Sequence, residues 1–443
     1  MGIPYYFAAL LRRHKGIVQT CRSRLEPDIF AIDLNCLIHR YLKEDQPIES
    51  ILDAMDELLE SLCRPKQLYI AADGLAPYAK IVNQRHRRFK KQERGPFDRN
   101  QISPDTPYMR ELLTSIKSHF PLAIISDSAE PGEGEQKIFA WLKQLPKSQR
   151  TSICIYGLDA DLILLSLANQ TLSNQHQFWL LRESGEFSGT AEKAPFSMLS
   201  IWGLSGVVPM PLDQYMCLST LCFGNDFMPT LSMLSLREDG YNRSLQIYNA
   251  AGCPNLTTAS GLRTFLSECM KREKSVLLDR AQKRTKPFEN AILGCDGSHL
   301  EKRHSIHLLD GERNLERVCR AFWTTYHWTL EYFTTNQVPD WSWVYPYAEA
   351  PLVETLLKYS WEPYPLTKSS PPFTVNQQLQ MILPSWSLQT AERPQLFENE
   401  VYDEDTDTRP PWMKQYTWET EPLISLPWHP TWKLTTTTPL ALL

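Results

Sequence analysis

The chain has 443 residues, 42% of them hydrophobic and 22% charged, an ordinary globular composition long enough for two or three domains. A net charge of −5 argues against a protein that coats nucleic acid indiscriminately, while leaving room for a local basic groove. Ten cysteines without a CxxC pair or zinc-finger spacing read as reduced thiols of an intracellular protein. Met1-Gly2-Ile3-Pro4-Tyr5-Tyr6 lacks the order of charge, apolar run and small residues of a secretory leader, and Tyr6 stands where a myristoylation signal wants Ser or Thr. With no apolar run long enough to span a bilayer, no membrane partner is expected.

In chain order, β-type runs fall at Ile29–Asp33, Gln67–Asp73, Leu122–Asp127, Ser152–Asp159 and Phe178–Leu181. Helical stretches such as Ile51–Leu62 and Gln136–Leu145 separate them. This alternation predicts an α/β core with a largely parallel sheet, whose ligands bind beyond the carboxyl ends of the strands. Carboxylates fall at those ends: Asp33, Asp73, Glu133, Glu135, Asp159, Asp161 and Asp226, in five short segments. Gathered from distant parts of a chain, they repel one another unless cations neutralise them. Hard divalent ions use such oxygen ligands, and two can clamp a phosphodiester. Singly, each has a blander reading as a helix-dipole or turn residue. Five such segments at one end of one sheet are harder to explain that way.

Just after Asp73-Gly74 comes Lys80-Ile81-Val82-Asn83-Gln84-Arg85-His86-Arg87-Arg88-Phe89. At helical spacing Lys80, Gln84, Arg87 and Arg88 project onto one face, suited to a terminal phosphate, with Arg85, His86 and Lys91 pointing elsewhere. The alternative is a solvated basic helix. His39 is read as a structural side chain or as a ring that stacks on a base. Trp341 and Trp343 raise the same question against core packing. From about 236 to 309 the pattern is helical and charged, and from about 310 it is rich in Trp, Tyr and Pro. The expected division is therefore 1–235, 236–309 and 310–443, ending in a low-complexity tail. The cations Lys271, Arg272, Lys274, Arg280, Lys283, Arg284 and Lys286 read as a solvated face, an RNA guide or a nuclear import signal.

Taken in order, these segments resemble the XRN family of 5′→3′ exoribonucleases, whose core is related to flap endonucleases and PIN-like nucleases. The start Met1–Phe7 is similar to the family's MG(V/I)PxFF. Asp33–His39, Asp73–Lys80, Gln84–Phe89, Phe97–Met109, Pro131–Lys137, Tyr156–Leu162, Leu180–Glu183 and Leu221–Pro229 follow in family order. Trp341–Pro351 looks like SWxWYYPYHYAP, with Met381–Pro384 and Trp418–Pro427 later in the same region. The implied fold is a Rossmann-like, PIN/flap-nuclease-like twisted sheet flanked by helices, with a mainly helical, aromatic-rich second region packed on it.

The resemblance implies hydrolytic, processive 5′→3′ removal of nucleotides from single-stranded RNA bearing a 5′ monophosphate. It assigns the seven acids to two Mg²⁺ ions, which Mn²⁺ could replace, and Lys80, Gln84, Arg87 and Arg88 to the 5′ phosphate. His39 matches the residue that stacks on the first bases, with Trp341 or Trp343 as its partner. A monomer in the cytoplasm is expected, with the nucleus as the alternative. The sequence departs from the family at Ala348-Glu349 in the aromatic motif and at Gln136, where GEGEHK has His. The stretch before Phe97 is short, so no projecting helical tower is expected, nor are accessory domains. The rivals are a structure-specific DNA flap nuclease and a catalytically silent RNA-binding scaffold. The phosphate face and aromatic region count against the first, and retention of all seven acids against the second.

Overall fold

The computed structural model describes residues 2–90, 96–146, 151–157, 159–170, 177–183, 196–284, 292–294, 296–309, 311–347, 349–359, 361–366, 372–384, 387, 402–407 and 422–424. The tail, residues 418–421 and 425–427 of the last family-like segment, and most of the acidic stretch 398–411 lie outside them. Seven strands form one sheet: β1 (Val18–Thr20), β2 (Ile29–Asp33), β3 (Gln67–Ala71), β4 (Ile124–Ser126), β5 (Ser152–Tyr156), β6 (Gln177–Glu183) and β7 (Phe196–Ser200). Their order is β1-β7-β6-β5-β2-β3-β4. The pairs from β4 to β6 are parallel, whereas β7 runs antiparallel to both β6 and β1.

Parallel strands need crossover connections, which here are helices covering both faces. Side-chain alternation separates the two faces. Ile29, Ala31, Tyr69, Ala71, Ile153 and Ile155 enter one apolar cluster, and Phe30, Ile32, Ile70, Cys154 and Tyr156 enter another. A strand apolar on both faces must be central, and all five residues of β2 are buried. The largely parallel α/β sheet expected from the sequence is thus present, with β7 running antiparallel to its two neighbours. Two of its strands, β1 and β7, were not foreseen. The helix predicted over 51–62 is an α-helix at Glu49–Glu57 that loosens into a π-turn at Leu58–Leu62.

The larger cluster runs from Ile3 to Leu356, so residues of all three expected spans share it. The helix Leu315–Thr335 joins it through Phe322, Trp323 and Tyr326. One turn on, Trp328 is fully buried, stacks on Tyr332 at 5.1 Å and lies 4.9 Å from the Phe227 ring. Its indole N–H donates to the Asp340 carbonyl at 2.8 Å. A second brace comes from the helix Val375–Ile382, started by a capping box at Thr374 and Gln377. Gln378 accepts from the Ala76 N–H at 2.8 Å, and the Met381 carbonyl accepts from buried Arg85 at 2.8 Å. Residues 315–382 thereby hold both the Asp226 turn and the basic helix.

Trp328→Ala leaves a cavity beneath the Asp226 turn and removes the indole hydrogen bond to the Asp340 carbonyl. Urea denaturation is expected to show a loss of about 3–5 kcal/mol. A loss below about 1 kcal/mol would mean that the helix is not anchored there.

Candidate functional site

Asp33 ends β2 and caps the helix Leu34–Tyr41, accepting from the N–H groups of Asn35 at 3.1 Å and Cys36 at 3.3 Å. The Cys36 thiol donates to its other oxygen at 2.9 Å. Asp73 follows β3 by two residues. Its backbone N–H donates to Asn35 Oδ1 at 2.9 Å, and its Oδ1 accepts from the Gly134 N–H at 2.7 Å. The ends of β2 and β3 are thus bonded to the Pro131–Glu135 turn. A methyl group at Gly134 would lie 3.1 Å from Asp33 Oδ1 and 3.4 Å from Asp73 Oδ1, so both carboxylates face one small space at that glycine.

Glu133 and Glu135 are buried at the start of the helix Gly134–Leu142. Asp159 follows β5, and Asp161 opens the helix Asp161–Gln170, its Oδ1 accepting from the Leu162 N–H at 3.1 Å. Asp226 sits in a turn shaped by Asn225, whose Oδ1 accepts from the N–H groups of Phe227 at 2.9 Å and Met228 at 3.0 Å. Lys80 reaches into these acids from the helix Tyr78–Lys90. Its Nζ is 2.6 Å from Glu133 Oε1 and 2.7 Å from Asp226 Oδ2, with both partners largely buried.

Electrostatics links all seven acids. Burial, then repulsion from Asp73 and Asp159, pushes Asp33 up to about 8, with the Cys36 hydrogen bonds working the other way. Burial and the charges of Glu133, Asp161 and Asp33 raise Glu135 well above the usual carboxylate range. Burial and Asp159 push Asp161 up to about 7. Two members are shifted downward. Burial would raise Asp226 and Asp159, but nearby cations, Lys80 among them, outweigh it. Lys80 itself is held well above the usual ammonium value: burial works against its charge, and Asp226, Glu133, Glu135 and Asp161 prevail.

The donor set is all oxygen, buried and mutually repelling, which fits a hard cation chemically. Among the described residues, however, no group of three or more His, Cys, Asp or Glu side chains stands at metal-holding spacing. The Lys80 ammonium instead bridges two of the carboxylates.

The four residues of the basic face are placed differently from one another. Lys80 lies among the acids. Arg88 is tied to the 100–102 loop, donating to Asn100 O at 3.2 Å, Asn100 Oδ1 at 3.3 Å and Ile102 O at 2.9 Å. Burial, with Arg87 beside it, pulls Arg88 down to about 10. Arg87 makes no hydrogen bond or ion pair with any described residue, and Gln84 Oε1 is buried without a partner among them. Off this face, Arg85 is buried over the Phe89 ring at 4.3 Å.

His39 is exposed near the end of its helix. Trp341 is half-buried, and its carbonyl accepts from the Tyr78 N–H at 3.0 Å at the head of the basic helix. Trp343 donates its indole N–H to Thr325 at 3.0 Å and packs against the large core cluster. Sequence reasoning missed three contributors. Asn35 and Cys36 position Asp33 and Asp73, and their place right after Asp33 was the available signal. Lys137 donates to the carbonyls of Ala72 at 2.9 Å and Asp127 at 2.7 Å, joining the ends of β3 and β4. Burial pulls that ammonium down to about 8.

Fold and site define an α/β protein with a carboxylate cluster at the carboxyl edge of its sheet. Residues 1–96 and 90–184 match the family model described as XRN 5′-3′ exonuclease N-terminus. The chain is 29% identical over 321 residues to 5′-3′ exoribonuclease 1 of Saccharomyces cerevisiae, covering 57% of this chain and 21% of that protein. Against 5′-3′ exoribonuclease 2 of Schizosaccharomyces pombe it is 26% identical over 366 residues, covering 57% and 36%. Against the human 5′-3′ exoribonuclease 1 it is 26% identical over 310 residues, covering 54% and 18%. The chain is thus similar to these 5′-3′ exoribonucleases, the likeness its motifs implied, and spans about a fifth to a third of their length.

Among solved structures, the catalytic core of Rad2 in complex with DNA substrate is similar at a TM-score of 0.37 and 16% identity, covering 63% of this chain and 76% of that one. The T5 D15 protein co-crystallised with metal ions gives 0.33 and 10%, covering 70% and 97%. No helix among the described residues is long and apolar enough to cross a membrane.

The raised Asp33 predicts a pH-dependent cost in metal-free protein. An unfolded Asp titrates near 3.9, so folding favours the protonated form, and stability falls as pH rises from about 4 to about 8. Asp33→Asn keeps an acceptor oxygen for the cap and removes this loss. In EDTA, its unfolding free energy relative to the parent protein is expected to rise through that window by about 2–4 kcal/mol. Parallel stability curves for the two proteins would contradict the burial of a repelled carboxylate.

Proposed function

We propose that the chain is a metal-dependent 5′→3′ exoribonuclease acting on single-stranded RNA with a 5′ monophosphate. The observation that carries this reading is one connected set of seven carboxylates in a chain whose first 184 residues match the XRN exonuclease model. Asp33, Asp73, Glu133, Glu135, Asp159, Asp161 and Asp226 would hold a pair of Mg²⁺ or Mn²⁺ ions. Such ions supply activated water and charge stabilisation at the cleaved phosphodiester.

The protein's own side chains set the rest. Lys80 neutralises Glu133 and Asp226. Arg87, which makes no hydrogen bond or ion pair with a described residue and whose charge reaches Asp226, is the forked donor for a terminal phosphate, and Gln84 lies one helical turn before it. Arg88 is held by the 100–102 loop and contributes its charge from that fixed place. His39, exposed near a helix end, presents a ring for unpaired bases. Trp341 is its stacking partner in this reading, because its main chain is bonded to the head of the phosphate helix, whereas the Trp343 N–H is taken by Thr325.

Matched RNAs carrying a 5′ monophosphate, triphosphate or hydroxyl test the reading, each incubated with and without Mg²⁺. Mg²⁺-dependent decay of the monophosphate RNA from its 5′ end is expected. Equal decay of the hydroxyl RNA, or decay unaffected by EDTA, would sink it. Arg87→Ala should lower kcat/KM on monophosphate RNA about 10- to 100-fold, the size of a lost charged hydrogen bond, and leave the hydroxyl RNA unaffected. Equal losses on both RNAs would remove Arg87 from the phosphate site.

A further inference from the structure

The two oxygens of Glu133 are engaged by different parts of the chain. Oε1 is paired with Lys80 at 2.6 Å, and Oε2 accepts from the Tyr332 hydroxyl at 2.8 Å. Tyr332 comes from the helix Leu315–Thr335, 199 residues further along. Its ring is fixed before the hydroxyl makes any bond, stacked on Trp328 at 5.1 Å and set edge-on to Phe227 at 5.0 Å. Phe227 directly follows Asp226, and the Lys80 ammonium stands 5.9 Å from that ring.

The same helix end makes further polar contacts with the helix that carries Glu133 and Glu135. Asn336 donates its amide to Gln136 Oε1 at 2.9 Å, and Lys143 donates to the carbonyls of Thr334 at 3.1 Å and Thr335 at 2.8 Å. Gln136 is a position where this sequence departs from the XRN motifs, standing in place of the His of GEGEHK. A carboxylate bonded only to a flexible ammonium can rotate; one also bonded to a ring locked among aromatics cannot.

We propose that Tyr332 is a positioning residue of the cation site, which fixes the Glu133 carboxylate for a divalent cation so that residues 315–335 complete the site. The proposal rests on the reading of the acid cluster as a cation site. It does not require RNA to be the substrate. A second residue that orients a ligating carboxylate commonly changes metal affinity by about 10- to 100-fold.

Mn²⁺ is the probe, titrated calorimetrically into the full chain without RNA. Tyr332→Phe keeps the ring packing and removes one oxygen. It is expected to weaken Mn²⁺ binding about 10-fold or more while shifting the thermal midpoint by less than about 4 °C. In a Glu133→Gln background the same change should add nothing, because Tyr332 acts through that carboxylate. Asn336→Gly, which keeps the left-handed backbone and removes the Gln136 bond, should leave Mn²⁺ affinity within about 2-fold. Unchanged affinity in Tyr332→Phe would overturn the proposal, as would an undiminished effect in the Glu133→Gln background or an equal loss in Asn336→Gly. If the parent protein binds Mn²⁺ in this pattern and fails to degrade monophosphate RNA, the function falls and Tyr332's role stands.

Discussion

Seven carboxylates converge at the carboxyl edge of the sheet, four of them buried, and their repulsion must be balanced by whatever surrounds them. Two like charges about 4 Å apart at an effective dielectric of about 20 oppose each other by about 4 kcal/mol, while a whole domain is stable by only about 5–15 kcal/mol. Protonation relieves part of the strain, with Asp33 raised to about 8 and Asp161 to about 7. Lys80 relieves another part by bridging Glu133 and Asp226. The backbone N–H groups of Asn35, Cys36, Gly134 and Leu162 meet individual oxygens. Each device lowers the cost of a site whose charge is not fully compensated by protein.

This constraint explains why the aromatic region is bound so closely to the sheet. Holding repelling groups in fixed positions requires rigid supports, and stacked buried rings lose little freedom when they pack. Trp328, Tyr332 and Phe227 form such a support under the Asp226 turn and beside Glu133. On the other side, Gln378 and the Met381 carbonyl brace the basic helix through Ala76 and Arg85. The acids come from residues 33–226, but their geometry depends on residues 315–382.

The central strands were legible in the sequence because a strand buried on both faces reads as an unbroken apolar run, as Ile29–Ile32 does. The acids were legible because each stands at or just past such a run or turn. β1 was not, since three residues, Val18–Thr20, carry no periodicity. β7 was hidden because Ser197, Ser200 and the polar approach to Phe196 mask it, and only its antiparallel pairing to β6 defines it. The basic face illustrates a different limit. Helical spacing aligned Lys80, Gln84, Arg87 and Arg88 but could not reveal that Lys80 would turn to the acids and Arg88 to the 100–102 loop. Tyr332 was illegible for a related reason. In an aromatic stripe at helical spacing, nothing distinguishes the ring whose hydroxyl meets a carboxylate from those that only fill the core.

If the cluster exists to hold cations, the protons now on its raised carboxylates must leave when a cation arrives. Calorimetric titration of Mn²⁺ near pH 7 in two buffers of different ionisation enthalpy measures this directly. Saturable binding with a heat that depends on the buffer, reporting protons released from Asp33 and Asp161, is the predicted result. Absent binding, or binding whose heat is the same in both buffers, would contradict a cation site built from these buried acids.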